Sequence, residues 1–192
     1  MNTKICAVFK DRERARSIAA EHQGILYVDE REDISKLPFA ALICIDTDNL
    51  EDLVQQADVG VYLVHRRIIK ENKEKKQDRE GEQDGLVSLH TLVSHPKLGH
   101  RQSDDYWRDN HAPLALKIHE AMNYYHQLSI LHCFKGPAWD GFAMLSFDSF
   151  DDLQNKYFNS DAGKLEVFKD VAIFADTQKS PSRRVVAKTW CY

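Results

Sequence analysis

Apolar and polar positions along the chain fall into two alternating patterns: short, mostly apolar runs, and stretches with a helical period. Lys4 to Lys10 is an apolar run of strand length. Asp11 to Gln23 puts Ala15, Ile18 and Ala19 on one side and charges on the other, which predicts an amphipathic helix with Gly24 as its stop. Ile25 to Asp29 and Phe39 to Ile45 predict two further strands, the second apolar enough to be central. Asp48 followed by Glu51 resembles a capping box and predicts the start of a second helix. Gly60 to Ile69, rich in Val, Ile and Tyr, predicts a fourth strand. The order βαββαβ is that of the ferredoxin-like unit.

Lys70 to Gly85 is nearly all charged or amide residues and cannot bury apolar surface, so it predicts a solvated linker or an exposed helical extension. Beyond it the order returns. Leu86 to Val93 reads as a strand, Ser103 to about Gln127 as a long helix bent near Pro113, and Ser129 to Lys135 and Gly141 to Phe147 as strands. A helix follows from Asp148 with Asp151 at its third position, and Arg184 to Tyr192 closes the order as a strand. The letters repeat as well: FAALICIDTDNLEDL at 39–53 and FAMLSFDSFDDL at 142–153 align Asp48 with Asp148, Leu50 with Phe150 and Leu53 with Leu153. The second copy has the longer first helix and the extra segment Asn159 to Arg183, so function is expected there.

A four-stranded sheet with helices on one face leaves its other face bare, and two such sheets packed together cover both. The expected fold is therefore α+β: tandem ferredoxin-like βαββαβ repeats whose antiparallel sheets pack into a dimeric-α/β-barrel-type arrangement. The organisation read from the pattern is a degenerate repeat at 1–69, a charged linker at 70–85 and a second domain at 86–192.

Composition narrows the partners. An apolar content of 43% with 29% charged residues is that of a soluble globular protein. A net charge of -4 argues against nucleic acid and against a membrane surface, and the apolar runs are too short to span a bilayer. Met1 to Phe9 lacks the length and cleavage region of a signal peptide, so a cytoplasmic location is expected. Cys6, Cys44, Cys133 and Cys191 form no C-x-x-C pair, and each sits in an apolar run, which predicts reduced core thiols.

The candidate chemistry gathers around Ser103 to Leu114. Ser103 reads as an N-cap, with Asp104 and Asp105 on the first turn. Trp107, His111, Leu114 and Ile118 then share one face, which sets an imidazole on a side built for burial. His111 is the candidate proton-transfer group; the alternative is a buried histidine that bonds a neighbouring strand and fixes the helix. Asp140, before a glycine at a strand mouth, is read either as orienting His111 or binding a substrate hydroxyl, or as a turn residue. Ser88 and His90 share one strand face, and His132 shares another with Ile130 and Phe134, as the lining of a partly polar cavity would. Tyr106 and Trp107 are read as walls for an aromatic ligand or as helix core. The nine histidines show no metal-ligand spacing, so no metal is expected. No cofactor is expected either; haem stays open as an alternative.

With these residues in view, the second half resembles the EthD family. The matching pieces are Tyr106-Trp107, His111-Ala112-Pro113-Leu114, Trp139-Asp140-Gly141-Phe142-Ala143 and Phe147-Asp148-Ser149, with Asp170 and Phe174 in a weaker later element. The resemblance implies the ferredoxin-like barrel and a ligand cavity between sheet and helix. Fold analogy does not choose a reaction; the leading expectation is an enzyme of cofactor-independent proton-transfer chemistry, of the lyase, cyclase, isomerase or monooxygenase type, acting on a small hydrophobic or aromatic molecule. The alternatives are a carrier or sensor without turnover and a structural interaction protein with a filled barrel. Assembly is expected as a monomer with an intrachain barrel or as a homodimer.

Overall fold

The computed structural model describes residues 3–46, 50–71 and 80–192, and among these eight antiparallel strands close into one barrel. The first half contains β1 (Thr3–Phe9), α1 (Arg12–Glu21), β2 (Ile25–Val28), β3 (Ala41–Ile45), α2 (Leu50–Gln56) and β4 (Gly60–Lys70). The second half opens with β5 (Gly81–Leu92) and α3 (Gly99–Tyr106). A π-helical segment, Trp107–His111, joins α3 to α4 (Ala112–Ile118). β6 (Tyr124–Lys135), β7 (Gly141–Phe147), α5 (Phe150–Asn155), α6 (Asp161–Phe174) and β8 (Val185–Cys191) complete it. Around the barrel the strands run β1-β3-β2-β8-β5-β7-β6-β4. Read from β4, the order 4-1-3-2 is followed by 8-5-7-6, the same arrangement in each half. The two four-stranded arrays meet at both edges, β2 on β8 and β4 on β6, so no strand edge is left for another chain to complete.

The strands have two buried faces, which is why their sequences read as runs and not as alternations. Inward residues such as Val8, Leu42, Tyr62, Leu128 and Phe142 fill the bore. Outward residues of the first half, including Ala7, Phe9, Leu26 and Ile43, pack under Ile18 and Ala19 of α1 and Leu53 of α2. In the second half Tyr125, Leu145 and Phe147 pack under Ala112 and Ala115 of α4 and Leu153 of α5. The cysteines are free thiols, and Cys6 and Cys44 face each other across β1 and β3 with sulfurs 3.2 Å apart.

Several expectations are corrected. The charged stretch 70–85 is strand on both flanks: β4 runs through Lys70 and β5 begins at Gly81, because long strands are needed to meet β6 and β8. Residues 72–79 lie outside the described residues, as does the expected cap Asp48. The long helix begins at Gly99, four residues before Ser103, and ends at Ile118, while Tyr124–Gln127 belong to β6. Ser103 is therefore a buried helix residue and not a cap. Ser149 caps α5 by accepting from the Asp152 amide, so Asp152, not Asp151, holds the third position. α1 ends on Gln23 in the left-handed region (φ 51°); Gly24 is required for another reason, since a Cβ there would collide with Ile45 Cγ2. Among the described residues no helix is long and apolar enough to cross a membrane.

Candidate functional site

The π-helical segment decides where the long helix points its side chains. One extra residue per turn rotates the helix face, so after Trp107 and His111 the buried positions are Ala112, Ala115 and Ile118, and Leu114 is only half-buried. Trp107 is the anchor. Its indole Nε1–H donates to the Tyr125 hydroxyl at 2.9 Å, and its six-membered ring lies over Gly141, where a Cβ would come within 2.7 Å of Cζ3. Gln127 reaches the Trp107 carbonyl and the Tyr125 hydroxyl, each at 3.0 Å. Arg67 pins the preceding turn by a two-pronged pair with Asp104 at 2.6 and 2.8 Å. Trp107 is thus part of the packed core.

His111, one π-turn on from Trp107, is 8% exposed and faces α6. Its Nδ1 lies 2.6 Å from Asp170 Oδ2, and the Tyr106 hydroxyl donates to Asp170 Oδ1 at 2.9 Å. Both rings rest on Phe174, one turn further along α6, with centroids 5.0 and 5.7 Å away. Burial opposes ionisation of Asp170, but the bonds from His111 and Tyr106 outweigh it and hold its carboxyl below the usual range. An ionised carboxylate only accepts, so Nδ1 of His111 donates to Asp170. Nε2 has no protein partner among the described residues.

A second cluster faces the same helical layer from the sheet. Ser88 and His90 do share a face, the outer one, since Val87 and Leu89, which alternate with them, point into the bore. His90 Nε2 sits 2.9 Å from both the Ser88 and the Tyr157 hydroxyls. His119, at the end of α4, donates from Nδ1 to the Tyr157 carbonyl at 2.6 Å and lies edge-on to the Tyr157 ring. The Arg184 guanidinium covers the other side of that ring, 4.6 Å from its centroid. Burial, and then the charges of Arg184 and the neighbouring imidazoles, push His90 down to about 3. Burial likewise takes His119 to about 4, against the opposing bond to Tyr157. His90 and His119 are therefore neutral at pH 7.

Two expected site residues sit elsewhere. Asp140 does not touch His111: its Oδ2 accepts from the Ser94 amide at 2.7 Å and its Oδ1 pairs with His100 Nδ1 at 3.0 Å, which ties the strand mouth to the start of α3. His132 is exposed on the outside of the barrel with its ring against Phe134. Ile130, two residues earlier, points into the bore because β6 carries a bulge at Leu131 that exchanges the faces. The residues that sequence reasoning left out of the site are Asp170, His119, Tyr157 and Arg184. Asp170 and Phe174 were visible only as part of the family resemblance.

The Asp140–His100 link predicts a pH response. Burial raises the Asp140 carboxyl, but His100 and Ser94 bring it below its ordinary value; the bond to Asp140 raises His100 above its own. The aspartate's contribution is present above about pH 3.9 and is lost as the pH falls through the lowered value. The histidine's contribution is full below about pH 6.5 and is lost as the pH rises through the raised value. The link is thus strongest between these limits. An NMR titration should place the His100 midpoint higher in the wild type than in Asp140→Asn; equal midpoints would remove the pair as the cause.

The molecule is a closed eight-stranded antiparallel α/β barrel with a helix-covered His–Asp pair on its outer sheet face. Residues 95–178 match the EthD domain model, and this part of the chain is similar to that family. The fold is similar to that in a crystal structure study of an anthrone oxidase-like protein, with a TM-score of 0.57 over 99% of this chain and 90% of that one. At 8% sequence identity this likeness is one of fold alone. No curated protein matches the chain.

Proposed function

We propose that the chain is a small-molecule enzyme of cofactor-independent proton-transfer chemistry, with a hydrophobic or aromatic substrate held between the sheet and α4–α6. The observation that carries this reading is the 2.6 Å contact of His111 Nδ1 with Asp170, which leaves Nε2 without a protein partner among the described residues. Nε2 accepts a proton from a C–H beside a carbonyl; the C–H electron pair becomes an enolate, and Asp170 stabilises the imidazolium. Return of the proton to another carbon, or to a leaving group, completes an isomerisation, cyclisation or elimination. Tyr157, bonded to His90 and lying under Arg184, is the hydroxyl suited to meet the enolate oxygen. The two halves are read as copies of one ferredoxin-like unit, 1–69 and 86–192, which the repeated strand order supports.

The test is proton exchange. Anthrone, a naphthol and a linear diketone are incubated with the protein in heavy water, and deuterium uptake at carbon is followed by NMR. Uptake faster than in buffer alone is expected for at least one of them. Rates equal to buffer for all three would count against an acid–base enzyme and favour a carrier.

A further inference from the structure

The barrel encloses a space on the opposite side of the sheet from His111. Its two ends differ. At one end Phe39, Tyr62, Trp139 and Phe142 pack with ring centroids 5.6–5.9 Å apart and fill the bore. At the other end the bore opens into a cavity of about 380 Å³. The inward positions change character along the strands: Val8, Cys6 and Lys4 on β1, Tyr62, Val64 and Arg66 on β4, and Ile130, Leu128 and His126 on β6 run from apolar to basic. Ile25, Tyr27 and Met144 supply further apolar wall.

The basic groups at this end are not balanced. Lys4 is bonded to Asp46 at the rim. Arg66 has neither an ion pair nor a hydrogen bond among the described residues, and its Nε is buried without a partner. His126 is 4% exposed, stacks on Tyr124 with centroids 4.6 Å apart, and leaves Nε2 buried without a partner. Burial, and then the charge of Arg66, take this imidazole down to about 4, so it is neutral at pH 7 and offers one N–H. Donors left without acceptors in a buried wall cost free energy that an acceptor from outside would recover. Arginine presents a planar fork that matches a carboxylate. The volume lies at the small end of the range for small-molecule sites.

We propose that the open end of the barrel binds a small amphipathic carboxylate, its head on Arg66 and His126 and its apolar body along Leu128 and Met144. This site is independent of the His111 chemistry. An anion is selected because the one uncompensated charge in the wall is positive. An apolar tail is selected because the bore beneath that charge is lined mostly by aliphatic and aromatic side chains and is closed at its far end.

Isothermal titration of the full chain with 2-naphthoate, with decanoate and with uncharged 2-naphthalenemethanol tests the proposal. At least one acid is expected to bind saturably, and the alcohol at least about tenfold more weakly than the naphthoate if that is the binder. The choice between the two acids separates a flat aromatic ligand from a linear chain. Arg66→Gln should weaken the bound acid by about ten- to a hundredfold, the loss expected for a charge-assisted bond, while His111→Gln leaves it unchanged. His126→Leu, whose apolar side chain suits the site, carries the same test if Arg66→Gln does not fold. No saturable binding of either acid, equal affinity for naphthoate and alcohol, or full affinity in folded Arg66→Gln would overturn the proposal.

Discussion

Replacing His111 by glutamine is expected to lower enzyme-dependent deuterium exchange by about 10²- to 10⁴-fold, the range a general base contributes. The amide of glutamine can still donate to Asp170, so the helix stays joined to α6 and the loss is chemical. Asp170→Asn should follow, with the fall in kcat and not in KM, because Asp170 acts by holding the imidazole with its proton on Nδ1. Tyr106→Phe removes only one of the two bonds to Asp170 and should cost least. This ranking separates a working dyad from a structural one. If thermal midpoints fall in all three variants while exchange is untouched, the His111–Asp170 pair is a helix clamp.

The second large effect concerns stability. Trp107→Ala should destabilise the fold by about 3–5 kcal/mol, the cost of emptying a large buried aromatic site. For a chain of this size that lowers the midpoint of thermal unfolding by on the order of 10 °C. The indole is 1% exposed, fills the notch over Gly141 and satisfies Tyr125. Trp107→Phe keeps most of the packing and leaves Tyr125 still bonded to Gln127, so its cost should be well under half as large. A drop of only a degree or two for the alanine variant would mean that α3 and α4 are held from elsewhere.

Much of the fold was readable in the sequence, for a physical reason. A strand buried on both faces must be a short continuous apolar run, and Gly141–Phe147, Ile25–Val28 and Thr3–Phe9 emerge where such runs lie. His111, Tyr106, Ser88 and His90 also reach one layer of the molecule, because helix and strand periods fix their sides. The failures lie where periodicity is interrupted. A π-turn after Tyr106 and a bulge at Leu131 each insert one residue and rotate the side chains beyond it, which buried Ala115 in place of Leu114 and turned His132 outward. Partners were hidden for a different reason: Asp170 meets His111 across 59 residues of chain, a pairing made by the docking of α6 alone. Asp140, nearer to His111 in the sequence, is engaged instead with Ser94 and His100.

The two seams that close the barrel are of unequal length. β4 and β6 are zipped from Val61 to Lys70, whereas the ladder of β2 on β8 runs along Ile25–Val28, with single bonds beyond it at either end. The shorter seam is the weak stave. Under mechanical load or partial denaturation it parts first, and the raw edges of Ile25–Val28 and Lys188–Cys191 become templates on which strands of other molecules can add. What keeps those edges covered is the pairing of Ile25–Val28 with Lys188–Cys191, together with the bonds of the Tyr192 amide to the Gly24 carbonyl and of the Val186 amide to Asp29.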